Sequence, residues 1–143
     1  MKLDDLLCFA LYNASRAITR AYAPLLEPLG LTYPQLLVLF VLFEEDGAPV
    51  KRIGQLLALD SATLTPMIKR LELQGLVQRR RGVKDERIVE VRLTPAGRAL
   101  QKKAQRVPGE LACRVGLDPK RPAARERVRK LRTELQQLTR EVA

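Results

Sequence analysis

Residues 57–94 contain the pattern that most restricts the fold: an amphipathic helix, a glycine, and two short alternating segments around a charged tip. Asp60 or Ser61 can cap the start of this helix, because a short side-chain oxygen there accepts a hydrogen bond from a backbone N–H without a helical partner. Pro66 falls early in the helix, where its missing N–H costs little. Gly75 predicts a left-handed residue beyond the last turn. The helix therefore has a defined start and a defined end.

The second half of this stretch predicts a β-ribbon. Segments 76–80 and 88–93 are short and alternating, and a charged tip of residues 81–87 joins them. In the second segment, Ile88, Val89, Val91 and Leu93 include a period-two apolar face, as expected for a strand with one buried face. The preceding helix, residues 61–74, carries an apolar stripe of Leu64, Ile68, Leu71 and Leu73. A helix followed by a two-stranded ribbon with a basic tip is a winged helix. It can place the helix in a DNA major groove and the tip against the backbone or the minor groove.

The rest of the chain is predicted to be helical, so the fold class is mainly α with a small antiparallel β-wing. Aromatic residues make up only 4% of the chain and leucine dominates the apolar content, which favours helix over strand. The further helices are predicted at residues 4–26, 32–45 with Thr32 as cap, 51–57, 95–107 with Thr94 as cap, and 123–142. Pro24 indicates a bend or a loose last turn in the first helix. Pro108 and Gly109 indicate a bend or interruption after the wing.

The last predicted helix carries a narrow apolar stripe between charged flanks. Its members are Val128, Leu131, Leu135, Leu138 and Val142. Spacing of three or four residues suits a seam between two helices, and the simplest partner is a second copy of the chain. We therefore predict a winged helix-turn-helix in residues 31–94. Dimerisation helices in residues 1–30 and 95–143 flank it, and all three parts form one interlocked domain.

The net charge of +10 is unevenly distributed along the chain. Residues 1–50 carry 3 basic and 6 acidic residues, whereas residues 51–143 carry 23 basic and 10 acidic residues. The basic excess begins where the winged-helix pattern begins, as a surface that binds a polyanion requires. A generally basic surface without such a partner is the alternative. We expect double-stranded DNA as the partner.

The composition argues against an enzyme and against a metal site. The chain has no histidine and two cysteines, so it lacks an imidazole general base, and any zinc ligands would have to come from the two cysteines and carboxylates. No metal and no cofactor are predicted. No apolar segment approaches the roughly 18 residues of a membrane span, and the first residues lack a signal-peptide pattern. We expect a cytoplasmic protein without a membrane partner, with free thiols rather than a permanent disulfide.

Cys8 lies on the first predicted helix and has two explanations. A free cysteine is often a small buried apolar residue, in which case Cys8 only packs. Tyr12, however, follows at i+4 and lies one turn along the same face. Tyr22 follows Cys8 by fourteen positions, which is about four turns of a straight helix. Tyr22 can therefore approach Cys8 only across an interlocked dimer.

Three segments give the chain a resemblance to the multiple-antibiotic-resistance (MarR) family, and within it to the repressors of organic hydroperoxide resistance. They are LLCFALYNASRAITRAYAPLLEPLGLTYPQ at 6–35, LDSATLTPMIKRLELQGLVQRR at 59–80 and DERIVEVRLTPAG at 85–97. The first is the most specific of the three, because it combines a cysteine, two tyrosines and LTYPQ. The resemblance covers about residues 5–140. It implies a homodimeric repressor that leaves DNA when an organic hydroperoxide oxidises a cysteine near the N-terminus.

The resemblance also implies roles for individual side chains around the thiol. Matching tyrosines in these repressors hydrogen-bond the reactive cysteine, so Cys8 is the expected sensor, with Tyr12 and Tyr22 as donors that stabilise the thiolate. Tyr33 either joins this network or stacks at the start of its helix. Cys113 resembles the second cysteine of those members that resolve the sulfenic acid as an intersubunit disulfide. The alternative for Cys113 is a bystander thiol.

Nine residues are predicted to contact DNA, and two such sets in a dimer would recognise a pseudo-palindromic operator. They are Ser61, Thr63, Thr65, Pro66, Lys69 and Arg70 on the helix, and Lys84, Asp85 and Arg87 in the wing. Hydroxyls bind base edges or phosphates, and cations neutralise phosphates. By resemblance, Asp85 and Arg87 form an Asp-x-Arg motif whose arginine enters the minor groove. Ser61 could instead be a cap only. Arginines 79–81 could be solvated, but we expect at least one to reach a phosphate.

The sequence leaves three other functions open. A MarR-type regulator gated by a small aromatic ligand would use Cys8 only structurally. A thiol peroxidase would use Cys8 and Cys113 for turnover, but the winged helix would then be unexplained. A nonspecific nucleoid protein would show a steep salt dependence without operator preference. A sensor pocket lined by Phe9, Leu11, Phe40 and Phe43 would favour an organic hydroperoxide over hydrogen peroxide, and ordinary core packing is the alternative for those four residues.

Overall fold

The computed structural model describes residues 2–142, which form seven α-helices and one two-stranded antiparallel sheet. The helices are α1 (Leu7–Leu26), α2 (Tyr33–Glu44), α3 (Val50–Leu57), α4 (Ser61–Leu73), α5 (Pro95–Ala104), α6 (Val107–Arg114) and α7 (Pro122–Val142), and the strands are β1 (Val77–Arg81) and β2 (Val89–Leu93). The predicted fold class is confirmed. The chain divides into two compact units, one ending at Gln105 and the other beginning at Arg106.

The first helix begins later than residue 4, where it was predicted to start. Residues Leu3–Asp5 instead form a separate 3₁₀ turn, in which Asp5 Oδ2 accepts a hydrogen bond from the Lys2 N–H at 3.1 Å. An aspartate side chain bonded to nearby backbone competes with helix formation in this way. Leu6 is extended and α1 starts after it. Pro24 does not end α1, which continues to Leu26 because a proline near the end of a helix removes only one hydrogen bond.

Helix α2 forms the centre of the first unit, because it is apolar on nearly all sides. Thr32 caps it as predicted: its Oγ1 accepts from the Gln35 N–H at 3.4 Å, and Gln35 Oε1 accepts from the Thr32 N–H at 2.9 Å. The buried side chains around α2 come from α2 to α4 and both strands. They include Leu36, Leu39, Leu42, Ile53, Leu64, Ile68, Leu71, Val77 and Val91.

Helices α3 and α4 form the predicted helix-turn-helix, and the apolar stripe of α4 is confirmed except for its last member. Leu71 is fully buried, whereas Leu73 is 88% exposed. The two positions lie about 200° apart around a helix of 3.6 residues per turn, so they cannot share one face. Gly75 then adopts φ +71°, and the Leu76 N–H donates to the Leu71 carbonyl at 3.0 Å. This is the predicted left-handed end of the helix.

The wing is an antiparallel ribbon whose strands each begin one residue later than predicted. Val77 pairs with Leu93, and Arg81 pairs with Val89. Val77, Val91 and Leu93 are buried, so the end of the ribbon near the helices is anchored in the core. Most of the charged tip between the strands is exposed, and its last residues, Arg87 and Ile88, line a cavity with residues of α3 and the start of α4.

The predicted bend at Pro108 and Gly109 lies elsewhere. The helical pattern breaks at Gln105 and Arg106, and Pro108 falls in the first turn of α6. Proline is favoured in a first turn, because its missing N–H would have no helical partner there. Pro122 likewise begins α7, one residue before the predicted start.

Much of the apolar surface of α1 and α7 is exposed in the single chain. The exposed members are Leu3, Leu7, Tyr12 and Ile18 in or just before α1, and Val128, Leu131, Leu135 and Val142 in α7, while Leu138 is half-buried. Within residues 2–142 no single helix is long and apolar enough to cross a membrane. Only the pair Leu7–Leu29 and Tyr33–Glu44, bent by 70°, has the required length and composition when taken together.

Candidate DNA interface and thiol sites

The start of α4 is fixed by Asp60 rather than by Ser61. Asp60 Oδ1 accepts a hydrogen bond from the Thr63 N–H at 2.7 Å. Hydrogen bonds from Thr63, first through its backbone N–H, lower the pKa of Asp60 below its ordinary value, since they stabilise the carboxylate. Ser61 is exposed at the first position of the helix. Its hydroxyl is not needed as the cap and is available to a partner.

The predicted contact residues of α4 are mostly solvent-exposed. Ser61, Thr63, Pro66, Lys69 and Arg70 are exposed, and Thr65 is half-buried. Thr65 lines a cavity of about 170 Å³ together with Val50, Ile68, Arg79 and Val89. Thr65 therefore faces partly toward the wing. The exposed edge of α4 consists mainly of Ser61, Thr63, Pro66, Lys69 and Arg70.

The tip of the wing is organised by Asp85 and Arg87. Asp85 Oδ1 accepts from the Arg87 backbone N–H at 3.0 Å and from Arg87 Nε at 3.1 Å, and Asp85 Oδ2 accepts from Arg87 Nη2 at 3.3 Å. The side chain and then the backbone of Arg87 lower the pKa of Asp85 below its ordinary value. The Arg87 side chain is nevertheless 91% exposed. The Asp85 carboxylate orients the Arg87 guanidinium, and the exposed Arg87 side chain is suited to enter a DNA groove. Lys84 is also exposed at this tip.

The three arginines of β1 differ in how they are bound. Glu72, in the last turn of α4, accepts from the Arg79 backbone N–H at 2.9 Å and from Arg79 Nε at 3.0 Å, and it pairs with Arg79 Nη2 at 2.8 Å. These contacts, first the backbone N–H, lower the pKa of Glu72. Arg80 donates to Gln78 at 3.2 Å. Among residues 2–142, the Arg81 side chain has no hydrogen-bond or ion-pair partner, so it is the β1 arginine most available to a phosphate.

The Glu72–Arg79 contact was missed in the sequence analysis. Its two residues are seven positions apart and lie on different elements, so no helical or strand periodicity joins them. The only signal was the Gly75 turn between them, which folds β1 back along the end of α4.

Both cysteines are exposed free thiols. Cys8 lies in the first turn of α1, and Cys113 lies near the end of α6. Exposure contradicts the alternative in which Cys8 is a buried packing residue of this chain. A small oxidant can reach both sulfurs in the single chain.

The three tyrosines of the chain lie in two separate clusters. Tyr12 accepts a hydrogen bond from Arg16 Nη1 at 2.8 Å, and the guanidinium lies 5.3 Å from the ring centroid. The Tyr22 ring stacks on the Tyr33 ring at 4.5 Å between centroids, so Tyr33 stacks at the start of its helix. Burial, and then the neighbouring Tyr33, raise the pKa of Tyr22. Since α1 is continuous, Cys8 and Tyr22 lie about 21 Å apart along its axis.

The apolar residues expected near the thiol do not enclose Cys8 within one chain. Phe9, Leu11, Phe40 and Phe43 are all half-buried. Phe40 packs edge-on against Phe43 at 5.9 Å and lines a cavity of about 270 Å³ with residues of α2 and α3. Cys8 is not among the residues that line that cavity. No cluster of three or more histidine, cysteine, aspartate or glutamate side chains suited to a metal occurs within residues 2–142.

Comparison with known proteins places this geometry among transcriptional regulators. A family model described as transcriptional regulator SarA/Rot matches residues 20–104. The organic hydroperoxide resistance transcriptional regulator of Bacillus subtilis (strain 168) is 50% identical over 111 residues, which are 78% of this chain and 76% of that protein.

Solved structures match nearly the whole chain. Reduced AbfR bound to DNA matches with a TM-score of 0.80 and 34% identity over 98% of this chain and 94% of that chain, and AbfR is a protein of Staphylococcus epidermidis. Disulfide-formed AbfR matches with a TM-score of 0.70 and 34% identity over 98% and 91%. A MarR transcriptional regulator from Methanosarcina mazei Go1 has the same fold, with a TM-score of 0.81 at 24% identity over 92% and 94%.

Proposed function

The chain belongs to the SarA/Rot family of winged-helix transcriptional regulators, and we propose that it is a repressor that senses organic hydroperoxides through Cys8 and releases its operator on oxidation. It is a DNA-binding transcriptional regulator rather than an enzyme, and the resemblance to MarR regulators is confirmed. The observation that carries the finer proposal is an exposed Cys8 in a chain half identical to a hydroperoxide resistance regulator.

The proposed DNA interface consists of the exposed edge of α4 and the tip of the wing. Its residues are Ser61, Thr63, Thr65, Pro66, Lys69, Arg70, Lys84, Asp85 and Arg87. Their exposure and the release of Ser61 from capping support this assignment for all but Thr65 and Asp85, which are half-buried. Helix α4 supplies hydroxyls and cations to the major groove, and Arg87 enters the minor groove with Asp85 holding its fork.

The proposed assembly is a homodimer joined through α1 and α7. Both helices expose apolar side chains in the single chain, including Leu7 and Ile18 on α1 and Leu131 and Leu135 on α7. An exposed apolar stripe rimmed by charge is typical of an interface. Two copies would present two α4 helices to a pseudo-palindromic operator with half-sites about one turn, or roughly 34 Å, apart.

The proposed sensing reaction begins with the Cys8 thiolate. Its sulfur attacks the terminal oxygen of the hydroperoxide, so an S–O bond forms, the O–O bond breaks and an alcohol leaves after taking up a proton. The Cys113 thiolate of a second copy then attacks the Cys8 sulfur, the S–S bond forms, the S–O bond breaks, and the hydroxide leaves as water after taking up a proton. The exposure of both thiols leaves each sulfur accessible for its step. The disulfide-formed state of AbfR, a structural neighbour, supports the same end point.

The tyrosines are proposed as donors to the Cys8 thiolate. Arg16 donates to the Tyr12 oxygen, which polarises the Tyr12 hydroxyl for donation to sulfur. The raised pKa of Tyr22 keeps its hydroxyl protonated, and therefore able to donate, well above neutral pH. Because Tyr22 is four helical turns from Cys8 of its own chain, its acceptor would be Cys8 of the second copy.

A gel shift with DNA from upstream of this gene and of its neighbour tests the proposal. The reduced protein should bind, treatment with cumene hydroperoxide should release it, and dithiothreitol should restore binding. Cys8→Ser should bind and remain bound in peroxide. Cys113→Ser is the matched thiol control: it should respond to peroxide without forming the intersubunit bridge on a non-reducing gel. Wild type that stays bound through peroxide would contradict the sensor role and favour a regulator gated by a small ligand.

A further inference from the structure

The turn between α2 and α3 runs beside β2 as a short third strand. The Gly47 N–H donates to the Val91 carbonyl at 3.0 Å, and the Val91 N–H donates to the Ala48 carbonyl at 3.0 Å. Pro49 lies opposite Glu90 in an antiparallel bridge. Residues 46–49 lie between the helices predicted at 32–45 and 51–57, and no strand was predicted there. The structure shows that this turn fixes one edge of the wing to the helical core.

A charged cluster closes this edge at the base of the wing. Asp46 Oδ1 accepts a hydrogen bond from the Leu93 N–H at 2.8 Å, and Asp46 Oδ2 accepts one from Arg98 Nη1 at 2.5 Å. Arg98 Nη2 also donates to the Leu93 carbonyl at 3.2 Å. Asp46 precedes α3, Leu93 ends β2, and Arg98 lies in the first turn of α5. The cluster therefore joins three elements at one point.

We propose that Asp46 and Arg98 form a clamp that sets the angle of the wing, and that both are positioning residues for the DNA contact of Arg87. An isolated two-stranded ribbon is only marginally stable, so its direction must be imposed from outside. The Glu72–Arg79 contact ties β1 to α4, and the Asp46–Arg98 clamp ties β2 to the helical core. Each strand thus has one charged contact of this kind, beside the hydrogen bonds of the turn at residues 47–48 and the burial of Val77, Val91 and Leu93.

The length of the wing makes this angle important. Residues Val89–Leu93 are extended and Arg87 lies two residues beyond them, so Arg87 is at most about 20 Å from Leu93. A tilt of about 10° at the clamp would displace the wing tip by up to roughly 3 Å. A displacement of that size breaks a hydrogen bond or a fitted contact in a groove. Removal of the clamp should therefore weaken DNA binding without removing any DNA-contacting atom.

A second ion pair in the wing provides the matched control. Glu90 Oε2 accepts from Arg92 Nη2 at 2.8 Å, and both residues belong to β2. The side-chain exposures are similar, 58% and 28% for Arg98 and Asp46 against 42% and 23% for Arg92 and Glu90. The Glu90–Arg92 ion pair joins two side chains of β2, and its loss leaves the Asp46–Arg98 contact in place. Glu90→Ala should therefore remove an ion pair without freeing the wing.

The test measures operator affinity of the full chain for Asp46→Ala, Arg87→Ala, their double variant and Glu90→Ala. The clamp inference rests on the proposed wing contact. Asp46→Ala should weaken binding about tenfold, the size expected when a charged hydrogen bond is removed, and Glu90→Ala should change it less than about twofold. The double variant should lose clearly less affinity than the sum of the two single effects, because Asp46 acts in part through Arg87. If Asp46→Ala instead weakened binding by disrupting the structure in general, its loss of operator affinity would add fully to that of Arg87→Ala.

The outcomes separate the clamp from the proposed function. If wild type binds no operator, the proposed function fails and the clamp fails with it. If wild type binds and Asp46→Ala binds equally well, or if its effect adds fully to that of Arg87→Ala, the clamp alone is overturned. Thermal melting checks that each variant folds. Should Asp46→Ala not fold, Arg98→Ala replaces it under the same criteria, since Arg98 is the more exposed member of the pair.

Discussion

Ion pairing divides the cations of the wing into those that hold the fold and those that are available to DNA. Arg79 is bound by Glu72 at three points, and Arg87 is held by Asp85 while its side chain stays exposed. Arg81 is exposed, and its side chain has no partner within residues 2–142. Charge counting along the sequence treats these arginines alike. Their contacts assign them different roles.

Arg81→Ala should therefore weaken DNA binding through the electrostatic component. The slope of log affinity against log salt concentration should fall in magnitude by about one for each phosphate that the variant no longer neutralises. Arg79→Ala is the control: it should lower the thermal unfolding midpoint and leave the salt slope nearly unchanged. Affinity measured by fluorescence anisotropy across a salt series gives the slope. Equal slopes for Arg81→Ala and wild type would remove Arg81 from the interface.

Leu71 and Leu73 differ only in the side of α4 that they occupy. Leu71→Ala should lower the free energy of unfolding by about 2–5 kcal/mol, because it leaves a cavity in the core. Leu73→Ala should change it by less than about 0.5 kcal/mol, since Leu73 is 88% exposed. Urea unfolding of both variants measures the difference. A large loss at Leu73 would mean that a partner covers it in solution.

At the scale of whole elements, the packing of α5 against the chain just before β1 depends on one glycine. Gly97 lies in the first turn of α5, and a Cβ on it would collide with the Leu76 carbonyl oxygen. That carbonyl also accepts the Thr94 N–H at 3.1 Å, and Thr94 Oγ1 caps α5 through the Gly97 N–H at 3.1 Å. The close approach of the Gly97 backbone to the Leu76 carbonyl therefore fixes the position of the start of α5 relative to the wing.

Gly97→Ala should destabilise the protein by at least about 2–3 kcal/mol, because a backbone clash can be relieved only by moving α5. Gly109 occupies the equivalent position in the first turn of α6, and a Cβ there would meet nothing within 4 Å. Gly109→Ala should be neutral or stabilising by up to about 1 kcal/mol. Calorimetric melting of the two variants compares the sites. Similar melting temperatures would contradict the close approach at Gly97.

Element types were predictable from the sequence because they follow from local chemistry. The Thr32 and Thr94 caps, the Gly75 turn and the alternation in β2 each act within a few residues, and the structure confirms all of them. Strand β1 does not alternate: Val77 is buried and the residues after it are increasingly exposed. The position of the break near Pro108 was wrong, because a proline can either end one helix or begin the next. Whether the proline ends one helix or begins the next depends on packing with residues that are distant in the sequence.

At the scale of the whole molecule, the exposed apolar stripes of α1 and α7 predict a dimer in solution. Leu131→Asp combined with Leu135→Asp should shift the protein toward monomer in sedimentation experiments and lower operator affinity, because charges placed in a seam disfavour association. Leu73→Asp, an exposed leucine outside the seam, should leave the sedimentation profile unchanged. A wild-type monomer at micromolar concentration would contradict the proposed assembly.

The sequence alone determined the fold class, the order of the elements, the basic surface and the candidate cysteines. These features depend on periodicity, capping residues and residue types, which act locally. Only the tertiary structure decided which arginine is free, that Leu73 faces solvent, that Tyr33 stacks on Tyr22, and that Asp46 joins Arg98 and Leu93 across about fifty residues of chain. Contacts between distant residues depend on how elements pack, and no period in the sequence encodes them.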